Sequence, residues 1–127
     1  MSNTQTKTLR VLTKKPGLVN RPKVEEVEHS LSAMQALVAP MKHPDGYHMI
    51  ELVRIDELME QGIDLYINEE GKFNGCRPNF QIWNGQDIVM GPVFFVSSND
   101  EGESVSLTDK QVEFAEKWLA SMPQSIF

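Results

Sequence analysis

The sequence predicts an α+β fold, a small antiparallel or mixed sheet with two helices packed on one face. Three observations lead there. Apolar residues alternate with period two in short early segments such as "KTLRVLTKK". A near-continuous apolar run, "DIVMGPVFFV", has the character of a strand buried on both faces. Two other segments, "SLSAMQALVAP" and "SLTDKQVEFAEKWLASM", carry apolar residues at helical spacing. A chain of 127 residues holds one domain with one core. That domain is assigned to residues 7–123, with a disordered tail at 1–6 and a short tail at 124–127.

The elements follow in order. "KTLRVLTKK" predicts a first strand, and "PGLVNRP" is a loop by its Pro, Gly and Asn content. "KVEEVEH" predicts a second strand, whose acidic residues suit an edge. The first helix starts at an N-cap, Ser30, places Leu31, Met34, Leu37 and Val38 on one face, and stops at Pro40. "KHPDG" is a turn, and "YHMIELVRI", apolar on both faces, is expected to be a central strand. "DELMEQG" fits one helical turn ending at Gly62.

"IDLYINEEGKFNG" predicts a hairpin: "NEEG" is its turn, Gly71 takes positive φ, and "KFN" begins the return strand. "CRPNFQIWNGQ" stays open between a loop and a helical turn. "DIVMGPVFFV" is expected to be one strand, with a bulge or an exposed edge at Gly91-Pro92. The last helix has Thr108 as its cap and Gln111 at the capping-box position, and Pro123 ends it.

Hydrophobic residues at 40% and charged residues at 24% exclude disorder of the whole chain. No apolar run is long enough to span a bilayer or to serve as a signal peptide, so the chain is expected in the cytoplasm, away from membranes. A single cysteine, Cys76, excludes an internal disulfide and a cysteine-based zinc cluster. The net charge of −6 is unevenly spread. Six of the 12 basic residues and none of the 18 acids lie within residues 1–23. The remaining residues carry a balance of −12. Lys7, Arg10, Lys14 and Lys15 are therefore candidates for contact with a polyanion or a partner. The alternative is that this segment lies against the acidic body of its own chain or of a second copy. Without an aromatic in the segment, nucleic-acid binding would be weak and salt-sensitive.

"NEEGKFNGCRPN", residues 68–79, crowds oxygen-bearing side chains around glycines. An EF-hand needs oxygen ligands at its first positions, Gly at the sixth and Glu at the twelfth. With Gly71 sixth, the twelfth residue is Arg77; with Gly75 sixth, the third is Lys72 and the twelfth Gln81. Both registers fail, and no phosphate-loop pattern is present. Turn chemistry accounts for most of the stretch, and Asn68, Asn74, Arg77 and Asn79 remain as candidate ligand or partner contacts.

Cys76 beside Arg77 is a candidate for a lowered thiol pKa, although nothing places a His near it. His29, His43 and His48 lack metal-ligand spacing, and the adjacent acidic pairs fit solvated surface. No catalytic residue, metal or cofactor is assigned, and an enzyme is the less favoured reading.

"SLSAMQALV", "DLYINEEGKFNG", "PN", "DIVMGPVFFV" and "SLTDKQVE", taken in that order over roughly residues 8–115, resemble a domain-of-unknown-function family of the DUF 3846 type. Members of that family are typical of phages, plasmids and other mobile elements. The chain departs from the family at Pro92, where the strand usually continues through a non-proline, and in the longer "HPDGYHMIELVRIDELMEQG" connection. The resemblance implies no activity and no catalytic residues. It implies an accessory protein in a bacterial host. The expectation is a small non-enzymatic binding protein with a protein partner, with counter-defence as one version of the role. The alternatives are a small-molecule or nucleotide module using the hairpin and "CRPN" region, a weak nucleic-acid binder, and self-association as a dimer.

Overall fold

A computed structural model describes residues 7–40, 48–72 and 76–123. Both expected tails, the "KHPDG" turn and Asn74 lie outside the described residues. The elements are β1 (Thr8–Lys14), β2 (Lys23–Glu28), α1 (Leu31–Leu37), β3 (Ile50–Val53), α2 (Asp56–Met59) and β4 (Ile63–Asn68). They continue with β5 (Pro78–Ile82), β6 (Asp87–Met90), β7 (Val93–Ser98), β8 (Ser104–Val105) and α3 (Asp109–Ser121). The main sheet runs β2-β1-β7-β4-β3, with β8 also paired to β7, and β5 and β6 form a second, two-stranded sheet. All pairings are antiparallel, so the fold is α+β.

β7 is the centre. Its successive side chains point to opposite faces, and both faces are buried. Phe95 and Val93 join Leu12, Ile63 and Leu65 in the larger core. Phe94 and Val96 join Leu9, Val11 and Val38 in a smaller one. The larger core lies under α2, α3 and the β5–β6 hairpin, with Trp118 set edge-on to Phe80 and Phe95. The smaller core is covered by α1 through Met34, Leu37 and Val38. The expectation of helices on one face is thus corrected: α1 and α3 serve opposite faces. The reason is energetic. Each large apolar side chain left wet forgoes about 1.5–3 kcal/mol, so Phe94 and Val96 need their own cover.

β2 is an edge strand, as its acidic pattern predicts. β3 is the opposite edge and not central. Its two-faced apolar pattern arises because Ile50 packs on the smaller core and Val53 on the larger. The caps are as expected: Ser30 Oγ accepts from Ala33 N, and Thr108 and Gln111 form a reciprocal capping box.

Two connections differ from expectation. β4 does not form a hairpin with the next described strand: it pairs with β3 and β7, β5 belongs to the second sheet, and Phe73 and Asn74 of the expected return strand lie outside the described residues. The turn itself is present: Gly71 N–H donates to Asn68 O and Glu70 N–H to Asn68 Oδ1. Gly71 is not required for positive φ but for space, since a Cβ there would lie 2.8 Å from the Met90 carbonyl. The second difference is at Gly91-Pro92, which is neither a bulge nor an exposed edge. It is the switch at which the apolar run leaves the second sheet as β6 and enters the main sheet as β7. Gly91 has φ +84° and donates to Arg77 O at 2.7 Å. A Cβ at Gly91 would lie only 2.7 Å from Cys76 Sγ. "CRPNFQIWNGQ" resolves into β5 and a turn in which Trp83, Asn84 and Gly85 all have positive φ.

Gly91→Ala combines a left-handed backbone with a steric clash and is expected to cost about 2–4 kcal/mol. Adding Cys76→Ala should return only the steric share. Urea midpoints measure both, and a Gly91→Ala variant as stable as the wild type contradicts this role for the switch.

Candidate functional site

The basic segment does not form an open ribbon. Lys14, the last residue of β1, is 4% exposed. Its ammonium donates to Lys15 O at 2.6 Å, Gly17 O at 3.3 Å and Asn79 Oδ1 at 3.3 Å. Burial lowers its pKa from the ordinary lysine value. Three acceptors for three N–H donors make the buried ammonium tolerable. Arg10 pairs with Asp109 at the start of α3. Lys7 and Lys15 are exposed.

Asn79 answers Lys14 from β5. Its Nδ2 donates to Lys14 O and to Gly91 O, each at 3.0 Å, and the residue is 1% exposed. It therefore joins the end of β1, the β5 strand and the Gly91 switch. Asn68 is also buried; its Nδ2 donates to Val38 O at 3.1 Å and ties the end of α1 to β4. Arg77 is exposed. Of the described candidates in residues 68–79, only Arg77 turns its side chain to solvent. Cys76 is buried, and burial pushes its thiol pKa up, so the lowering expected from Arg77 does not occur.

A groove of about 350 Å³ lies where the two sheets meet. β3 forms one wall, β6 and the Trp83 turn form the other, and Ile67, Ile82 and Val89 line the apolar part. Trp83 is half-exposed. Lys72 and Asp87 bond at 2.6 Å, and the Lys72 hydrogen bond holds the Asp87 carboxyl below its ordinary pKa. Asn68 and Gly71 also line the groove, so the turn singled out in the sequence forms part of it. Trp83, Arg54 and the β3 edge also line it, beyond the residues that the sequence points to. A tryptophan placed directly before an Asn-Gly turn was the available signal for the first. Among the described residues, no group of three or more His, Cys, Asp or Glu could hold a metal ion, and no helix is long and apolar enough to cross a membrane.

Asn79→Ala removes one of the three acceptors of the buried Lys14 ammonium and the donor to two buried carbonyls, and is expected to cost about 3 kcal/mol. Arg77→Ala should stay within about 0.5 kcal/mol. Urea unfolding measures both, and equal effects contradict the assignment. Because the Lys14 pKa is lowered on folding, the unfolded chain binds more protons between the folded and unfolded values. Wild-type stability relative to Lys14→Met should therefore be flat below the folded value and rise with pH up to the ordinary lysine value. Parallel curves contradict it.

The chain matches the model of the family described as Domain of unknown function (DUF3846) over residues 9–120. No curated protein and no solved structure matches it. The family match runs from β1 into the last turn of α3 and so takes in both sheets, the Lys14–Asn79 contact and the groove. The chain belongs to the DUF3846 family of domains of unknown function.

Proposed function

We propose that the protein is a non-enzymatic binding protein that grips an extended segment of another protein in the groove between its two sheets. The setting we propose is that of a phage or mobile-element accessory protein in the cytoplasm of a bacterial host, with counter-defence as one form of the role.

The observation that carries this reading is that one groove wall is a sheet edge. No other described strand pairs with the outer side of β3. Glu69 N–H donates to Met49 O at 2.9 Å, which sets the phase of the β3–β4 ladder. Residues alternate between bonding the partner strand and facing away, so the backbone groups of Ile50 and Leu52 face the open side. A segment laid along them gains main-chain hydrogen bonds and can set alternate side chains into the groove. Trp83 at the rim adds the kind of aromatic anchor that dominates binding surfaces.

The small-molecule reading draws less support, because the Asn68 and Asn79 side chains are spent on the fold. Nucleic-acid binding through the first strand also draws less, because Arg10 and Lys14 are engaged internally.

A photo-crosslinking residue in place of Trp83, expressed in the host, should give a discrete protein adduct. The same residue at Asp100, exposed in the loop that follows β7, should give none. No adduct at position 83, or equal adducts at both, contradicts the proposal.

A further inference from the structure

The loop between β1 and β2, residues 15–22, is tied at every level. Asn20 N–H donates to Gly17 O at 3.1 Å, and Asn20 Nδ2 to Pro16 O at 2.6 Å. From below, the Lys14 ammonium holds the carbonyls of Lys15 and Gly17. The loop carries two adjacent exposed aliphatic side chains, Val19 at its outside at 91% exposure and Leu18 at 62%, which also borders a shallow hollow beside α3. Single exposed apolar residues are ordinary. Two neighbours on a fixed loop, surrounded by the exposed cations Lys15, Arg21 and Lys23, form a basic knob with an apolar tip.

Its complement is an apolar hollow with a net acidic rim, and this chain carries one. Asp87 in the groove is matched by Lys72, which leaves Glu51 and Glu69 there and Asp56 and Glu60 in an adjoining hollow against the single cation Arg54 that the two share. A polyanion or an anionic bilayer suits the knob less well, because the rest of the chain, at −12, repels it. The knob is carried by β1–β2, and the β3 wall of the groove is the opposite edge of the main sheet. Four strand spacings put that wall about 19 Å from β2, so a knob braced on its own strands meets the β3 wall of another molecule rather than its own.

We propose that the 15–22 loop of one molecule seats Leu18 and Val19 in the groove of a second copy, head to tail. The proposal rests on the reading of the groove as a protein-binding site and names an occupant for it. Self-association then competes with any other partner. One loop in one groove buries less than the roughly 1,200 Å² of a stable interface, so the contact is weak, reversible and salt-sensitive. Being heterologous, it leaves an unused knob and an unused groove at the ends of each assembly.

Analytical ultracentrifugation of the full chain between about 10 and 500 μM tests it in the weak-affinity range. The wild type should at least about double its weight-average mass across that range, because head-to-tail contacts do not stop at a dimer. A knob variant, Leu18→Ser with Val19→Ser, and a groove variant, Glu51→Lys with Glu69→Lys, should each stay monomeric. All four changes are at exposed positions, and Trp83→Ser is a second groove variant should the first not fold. Mixed one to one, the two variants should form a dimer that grows no further, since one intact knob meets one intact groove. A wild type that stays monomeric, variants that associate like the wild type, or a mixture that stays monomeric overturns the proposal. The two readings fail separately. A Trp83 adduct with a host protein that survives in the knob variant, beside a monomeric wild type, removes only the self-association. Self-association without any host adduct removes only the foreign partner.

Discussion

The Lys14 ammonium sits where three parts of the chain meet, and one side chain, Asn79, completes its set of acceptors. A charge taken out of water costs several kcal/mol unless its donors are met. Here two of the acceptors are backbone carbonyls of the following loop, and the third is Asn79 Oδ1. Asn79 in turn donates to Lys14 O and Gly91 O, so one asparagine links β1, β5 and the switch between β6 and β7. This contact positions the small sheet against the large one. The cluster also borders the groove, since Met90, one of its lining residues, precedes Gly91. The same ammonium braces the 15–22 loop from beneath. Both surfaces to which binding is assigned therefore adjoin a single polar cluster.

That dependence changes the meaning of the charge asymmetry. Of the cations in the first 23 residues, Lys14 is structural and Arg10 joins β1 to α3 through Asp109. Those that remain on the surface beside Leu18 and Val19 are Lys15, Arg21 and Lys23. The basic segment thus divides into a part that stabilises the fold and a part that faces outward around an apolar tip. A basic stripe for polyanions would keep its charges along one open face, and this segment does not.

Much of the fold was legible in the residues. The strands β1 and β2, the acidic edge, the helices α1 and α3 with their caps and the helical turn at Gly62 follow from spacing and turn chemistry. The missed features are long-range. Nothing local in "INEEGKFNG" says whether the strand after a turn returns to the same sheet, and Gly71 reads alike whether it serves positive φ or close approach to Met90. The apolar run through Gly91-Pro92 hid two strands in two sheets. It did signal burial on both faces, and that signal already opposed helices on one face only. The candidate site was half legible. The 68–79 stretch contributes to the groove, but Asn68 and Asn79 act as fasteners. Sequence alone does not separate a polar residue that binds a ligand from one that satisfies buried backbone.

A double-mutant cycle on Lys14→Met and Asn79→Ala tests the clamp directly, with stability read from urea unfolding of the two single variants, the double variant and the wild type. If Lys14 and Asn79 act as one unit, the losses are strongly non-additive, with a coupling of about 1–3 kcal/mol. Losses that add to within about 0.3 kcal/mol would show two independent residues and contradict the clamp.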